Sequence, residues 1–132
     1  MKISAVVNNG PDGHAVDVCT DARSRSLPVP AGASGRGSGV NGGEFLMLAL
    51  ATCYCNDLYR EAAAMGLAID AVEVEAVADF PGPGLAATNI RYRARVVSNA
   101  PPDQIQALLH RTDAVAEVHN TLRAGVPVEL TA

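Results

Sequence analysis

Four residues within one stretch of eight carry groups that could do chemistry: Cys53, Cys55, Asp57 and Arg60. A thiolate is a nucleophile and a redox centre, and its reactivity is set by whatever charge surrounds it. On a helix, positions two apart are rotated by about 200°, so Cys53 and Cys55 point to opposite sides. A disulfide between them would require the helix to unwind. One thiol can therefore pack as a small hydrophobe while the other reaches a pocket. Asp57 follows Cys53 by one turn, where an anion opposes thiolate formation unless Arg60 pairs with it. The alternative is a purely structural one, with both thiols inert and buried.

Other motifs carry less. Gly37-Ser38-Gly39-Val40-Asn41-Gly42 matches the G-x-G-x-x-G pattern, but a dinucleotide site needs those glycines in a tight turn directly after a strand. Here the preceding strand ends near Val29, so a glycine-rich loop is expected instead. Gly35-Arg36-Gly37-Ser38 lacks the lysine and the frame of a phosphate loop. Cys53-x-Cys55 has no partner pair, and His14, His110 and His119 are scattered, so no metal is expected. His119 falls on an apolar helical stripe and reads as a core histidine. No cofactor is expected.

The elements that position these residues come from a chain of 132 residues, 48% hydrophobic and 18% charged, a composition that excludes disorder. A net charge of -4 without a basic block, and only 4% aromatics, exclude a nucleic-acid partner. No export signal or membrane span is read from the sequence. Three cysteines make no disulfide framework, so a cytoplasmic chain with free thiols is expected.

Three strands are predicted at Lys2 to Val7, His14 to Cys19 and Arg25 to Val29, the first two joined by the turn residues Asn9-Gly10-Pro11-Asp12-Gly13. A glycine-rich loop follows, and then a helix from Glu44 to Met65 capped by Gly66. Its first half, Phe45 to Ala51, is apolar all round and should be enclosed on every side. Two alternating strands set Glu73, Glu75 and Asp79 beside Arg91, Arg93 and Arg95, with Val72, Val74, Ala76, Phe80, Ile90, Tyr92, Ala94 and Val96 on the opposite, apolar face. One further helix, entered through Pro101 or Pro102 and capped by Gly125, is to present Ile105, Leu108, Leu109, Thr112, Val115, Ala116, His119 and Leu122. A strand from Val126 to Thr131 ends the chain. The order βββ-α-ββ-α-β is α+β, a single domain over residues 1–132.

The run Asn41-Gly42-Gly43-Glu44-Phe45-Leu46-Met47-Leu48-Ala49-Leu50-Ala51-Thr52-Cys53 resembles the central helix of the OsmC/Ohr family, the osmotically inducible and organic hydroperoxide resistance proteins. Tyr54 to Ala63 is similar to one OsmC-like subgroup. With His119-Asn120-Thr121-Leu122-Arg123 and the element order, the resemblance covers nearly the whole chain. It implies an intertwined homodimer with sites at the interface, and reduction of organic hydroperoxides by a peroxidatic cysteine. It places Cys53 at that position and Glu44 at or beside the supporting glutamate. The family's second cysteine usually stands in Cys-Pro-Val-x-Asn-Thr-Leu; here Ala116 stands in that place and cannot resolve a sulfenic acid. The activating arginine often lies in the first hairpin turn, where this chain has Pro11, leaving Arg23, Arg25 or Arg36 as substitutes. Three readings follow from these departures. One is a thiol peroxidase or redox sensor with Cys55, Cys19 or an external thiol reductant as resolver. Another is a protein binding a small hydrophobic ligand in the interface pocket, and the third is a different reaction in that pocket.

Overall fold

The computed structural model describes residues 1–131. It divides into two compact units, Met1–Phe45 and Leu46–Ala132. In the first, β1 (Ile3–Gly10), β2 (Gly13–Thr20) and β3 (Arg23–Leu27) form an antiparallel sheet in that order. Gly10 pairs with Gly13, so Pro11-Asp12 is a two-residue turn. Gly13 closes it at φ 138°, a conformation that favours glycine. The second turn uses Asp21 at φ 52°, held by Lys2, whose N–H donates to the Asp21 carboxylate at 2.8 Å. The loop after β3 is fastened to β1 by Asn9. Its amide donates to the carbonyls of Gly35 and Gly37, both at 3.2 Å, and accepts from the Gly37 N–H at 2.9 Å. Gly37 and Gly39 thus belong to a pinned loop and not to a tight strand-to-helix turn.

Helix α1 runs from Gly42 to Ala64 and ends at Gly66, whose φ of 69° is the left-handed value a helix terminus uses. Its start is a reciprocal cap: Asn41 Oδ1 accepts from the Glu44 N–H at 2.8 Å, and Glu44 Oε2 accepts from the Asn41 N–H at 2.7 Å.

In the second unit, α1 lies with β4 (Ala71–Asp79), β5 (Thr88–Val97), α2 (Pro102–Val115) and α3 (Glu117–Ala124). The hairpin register sets Glu73 opposite Arg95 and Glu75 opposite Arg93, as the alternation predicts. Its other face turns Val72, Val74, Tyr92, Ala94 and Val96 toward a core of Tyr54, Leu58, Ala62, Leu108 and Ala116. Burial selects one face of α1 (Leu50, Tyr54, Asp57, Leu58, Glu61, Ala62), whereas Leu48 remains 56% exposed.

Two expectations are corrected. The last helix is two helices, broken at Ala116, which is extended at φ -68°, ψ 106°. Alanine carries no stop signal, so its sequence did not announce the break. Tertiary hydrogen bonds hold it: the Asn120 amide donates to the Ala114 carbonyl at 3.1 Å, and Arg123 donates to the Asp113 carbonyl at 3.3 Å, satisfying the end of α2. The predicted strand from Val126 to Thr131 does not form among the described residues. Val128 and Leu130 are almost fully exposed, because a strand needs a neighbour to pair with and the described residues offer this segment none.

Candidate active site

The break at Ala116 shapes the surroundings of Cys53. In a continuous helix the Val118 N–H would bond to the Ala114 carbonyl; here that carbonyl takes the Asn120 side chain, and Val118 stands in the first turn of a new helix, where its N–H has no intrahelical partner. That N–H faces the Cys53 sulfur and favours its thiolate. Two carboxylates face the sulfur as well. Cys53 Sγ lies 3.7 Å from Asp57 Oδ2, one turn along α1, and 3.8 Å from Glu117 Oε2 at the start of α3.

The electrostatic balance goes against the thiolate. Burial first, and then the charges of Asp57 and Glu117, push the Cys53 thiol above its ordinary value, outweighing the Val118 N–H. Arg60 does pair with Asp57, at 2.8 Å, as the helical spacing allows. It is shared, however, with Glu117 at 3.9 Å and with Glu61 at 3.3 Å. Glu61 takes a second guanidinium, Arg111, at 2.6 Å, and the two arginines hold its carboxyl below the usual range. Three carboxyls against two guanidiniums leave one negative charge in excess beside the thiol. Asp57 is buried, and burial followed by the nearby Glu117 raises its own pKa, so it is a ready proton acceptor. One donor atom from each of Cys53, Asp57 and Glu117 falls within 4.8 Å of the others, spacing that could suit a cation. Arg60 already supplies the positive charge there.

The remaining residues separate by unit. Cys55 sits two positions along α1, about 200° round the helix from Cys53, and is free and half-buried. Cys19 lies on β2 and donates to the Asp21 carbonyl at 3.2 Å. Glu44 caps α1, about two and a half turns before Cys53, with its carboxylate engaged by Asn41. Arg36 lines the same surface hollow as Asn9, Gly10 and Pro11, beside the first hairpin turn. Glu117 went unnoticed in the sequence; its signal is its place directly after Ala116 in the segment where a second cysteine would stand.

A second cluster lies in the same unit as Cys53. Tyr54, Tyr92 and His119 pack edge to face, with ring centroids 4.8 Å apart for the tyrosines and 4.4 Å for Tyr92 and His119. The Tyr92 hydroxyl donates to the Asp113 carboxylate, which Arg123 also grips at 2.6 Å. Tyr54 donates to the Leu109 carbonyl at 2.8 Å.

The chain matches the OsmC family, described as OsmC-like protein, over residues 35–131. No curated protein matches it. Among solved structures, the OsmC-like protein from Mycoplasma pneumoniae superposes with a TM-score of 0.65 at 19% identity, covering 92% of this chain and 86% of that one. An organic hydroperoxide resistance protein from Elizabethkingia anophelis, with crystallant-derived thiocyanate bound, gives 0.63 at 16% identity, covering 98% and 94%. The organic hydroperoxide resistance protein OhrB of Bacillus subtilis gives 0.55 at 15%, covering 98% and 96%. At these identities the likeness is one of fold.

Proposed function

From the premise that the chain belongs to the OsmC-like family, we propose that it acts in oxidative stress by reducing or sensing organic hydroperoxides through Cys53, with an external thiol completing the cycle. The observation that carries this reading is the setting of Cys53: a half-buried thiol at a free helix N–H, with two carboxylates as proton acceptors and the buried Ala116 in place of a second cysteine. The Cys53 sulfur attacks the outer oxygen of the hydroperoxide while its proton passes to Asp57 or Glu117. The O–O bond breaks, the sulfur is oxidised to sulfenic acid, and the departing alkoxide takes the proton and leaves as an alcohol. An external thiol then attacks the sulfenic sulfur, releasing water and forming a mixed disulfide, which a second thiol reduces.

Arg36 is our candidate for the activating arginine; it lines a hollow with Pro11, the position where the family pattern has that residue. Glu44 acts through the helix it caps. Cys55 stands as an auxiliary thiol. Three unpaired cysteines favour a reducing, cytoplasmic setting. The exposed apolar side of α1 favours a homodimer with its substrate, a hydroperoxide or small hydrophobic ligand, near the interface. The raised thiol pKa favours a second reading, a ligand-binding protein without turnover. Peroxide consumption decides between them, using cumene hydroperoxide with dithiothreitol and then with lipoamide as the dithiol. Consumption abolished by Cys53→Ser supports the peroxidase. Equal rates in the wild type and Cys53→Ser, with Cys53 unmodified, would overturn it.

A further inference from the structure

Two side chains of α3 replace, one for one, the backbone donors that a continuous helix would use at the break. In such a helix the Glu117 N–H would bond to the Asp113 carbonyl and the Val118 N–H to the Ala114 carbonyl. Here the Asp113 carbonyl accepts from the Arg123 guanidinium at 3.3 Å, and the Ala114 carbonyl from the Asn120 side-chain amide at 3.1 Å. Arg123 also donates to Asn120 Oδ1 at 3.2 Å, which leaves the Asn120 amide nitrogen to face Ala114. The proposed chemistry at Cys53 uses neither residue. From this exchange of donors we infer that Asn120 and Arg123 are positioning residues for Cys53: they keep α3 separate from α2, so that its first turn, with the Glu117 carboxylate and the Val118 N–H, is set against the sulfur.

What the two released N–H groups do supports the assignment. The Glu117 N–H donates to its own carboxylate, which, first among several causes, holds that carboxyl below the usual range. The same carboxylate lies 3.8 Å from Cys53 Sγ. Arg60 reaches it only at 3.9 Å and is bonded more closely to Asp57, so it does not fix Glu117 in place. The Val118 N–H faces the sulfur. Both contacts would be lost if Glu117 and Val118 returned to the carbonyls of α2, because an N–H engaged inside a helix has no hydrogen left for an outside acceptor. The clamp is anchored beyond α3 as well. Arg123 grips the Asp113 carboxylate at 2.6 Å, and the Tyr92 hydroxyl of β5 donates to the same carboxylate. The backbone N–H of Asn120 bonds to the Ala116 carbonyl at 2.9 Å, so this residue is tied to the break by its main chain and to α2 by its side chain.

A double-mutant cycle on the alkylation of Cys53 by iodoacetamide, read at the Cys53 peptide in mass spectra, tests the assignment. The inference shares with the proposed function only the choice of Cys53 as reactive thiol; alkylation needs a thiolate and no hydroperoxide, so the two fail separately. In the wild-type background Glu117→Gln should speed alkylation at pH 7 by about two- to fivefold, through the charge it removes. In Asn120→Asp and in Arg123→Lys the same substitution should change the rate by less than about 1.5-fold, because Glu117 no longer stands at the sulfur. Asn120→Asp keeps the shape and the acceptor for Arg123 but loses the donor to Ala114, and a ratio taken within each background cancels the charge it adds. Arg123→Lys keeps the charge and loses the fork that reaches three acceptors. A merely structural role would lower stability in urea and leave the ratio intact. Should either variant fail to fold, the wild type decides. Its Asn120 side-chain amide protons should exchange with solvent more slowly than those of free asparagine, and its Val118 amide signal should shift as Cys53 is deprotonated, a shift absent from Cys53→Ser. No acceleration by Glu117→Gln in the wild-type background, an effect of full size in either folded variant, exchange at the free rate, or a Val118 signal indifferent to Cys53 would overturn the proposal.

Discussion

At Cys53 the same groups that could accept its proton also hold the proton on. A thiol raised above its ordinary value reacts slowly near neutrality, because the attacking species is the thiolate. The rate of Cys53 oxidation by a hydroperoxide should therefore climb with pH from 7 to beyond 9, read as oxygen added in intact-mass spectra. A plateau below pH 8 would contradict the arrangement. Glu117→Gln removes one nearby negative charge at an exposed position, which lowers the thiol pKa. It should speed oxidation at pH 7 by about two- to fivefold, since a unit charge at about 4 Å in water is worth about 1 kcal/mol. A slower variant would instead make Glu117 the working base. Ala116 supplies the next prediction at this scale. Wild-type Cys53 should proceed from sulfenic to sulfinic acid under excess hydroperoxide, with no thiol built to meet it. Ala116 is fully buried in the cluster against which Cys53 packs, so Ala116→Cys adds a small hydrophobic thiol there. That variant should give a reducible disulfide between Cys53 and the introduced thiol in peptide spectra; continued over-oxidation would show that the two positions cannot meet.

The β4–β5 hairpin separates structural charge from chemical charge. Arg93 bonds Glu75 at 2.6 Å with both side chains exposed, and such pairs contribute about 0–1 kcal/mol. Reversing Arg91 and Arg93 to glutamate should lower stability by no more than about 2 kcal/mol in urea unfolding and leave hydroperoxide consumption unchanged. A tenfold fall in turnover with unchanged folding would place this face in the site. The hairpin was readable because its alternation is a local, period-two signal, and the α1 terminus because Gly66 has a single conformational reason to be there. The split between α2 and α3 was not readable. Ala116 is a good helix former, and what overrides it is a set of bonds from Asn120 and Arg123 back to the end of α2.

For the whole molecule, Leu48 on α1, all of β1, and Val128 and Leu130 near the C-terminus leave apolar side chains uncovered. A second copy is the expected cover. Light scattering at micromolar concentration should give twice the chain mass, and Leu48→Asp should shift it toward the monomer; a monomeric wild type would refute this. Sequence alone determined the family and the α+β order as far as α2, because these rest on periodicity, turn chemistry and a motif written within a few residues. Tertiary structure decided what surrounds Cys53. The free Val118 N–H, the Glu117 carboxylate and the shared Arg60 come together only when α3 starts afresh beside α1, and the sequence separation of Cys53 from Glu117 hides their contact at 3.8 Å. It likewise decided that the His119 ring nitrogens go unpaired among the described residues, since a stripe of apolar neighbours predicts burial but not which polar atoms that burial leaves without a partner.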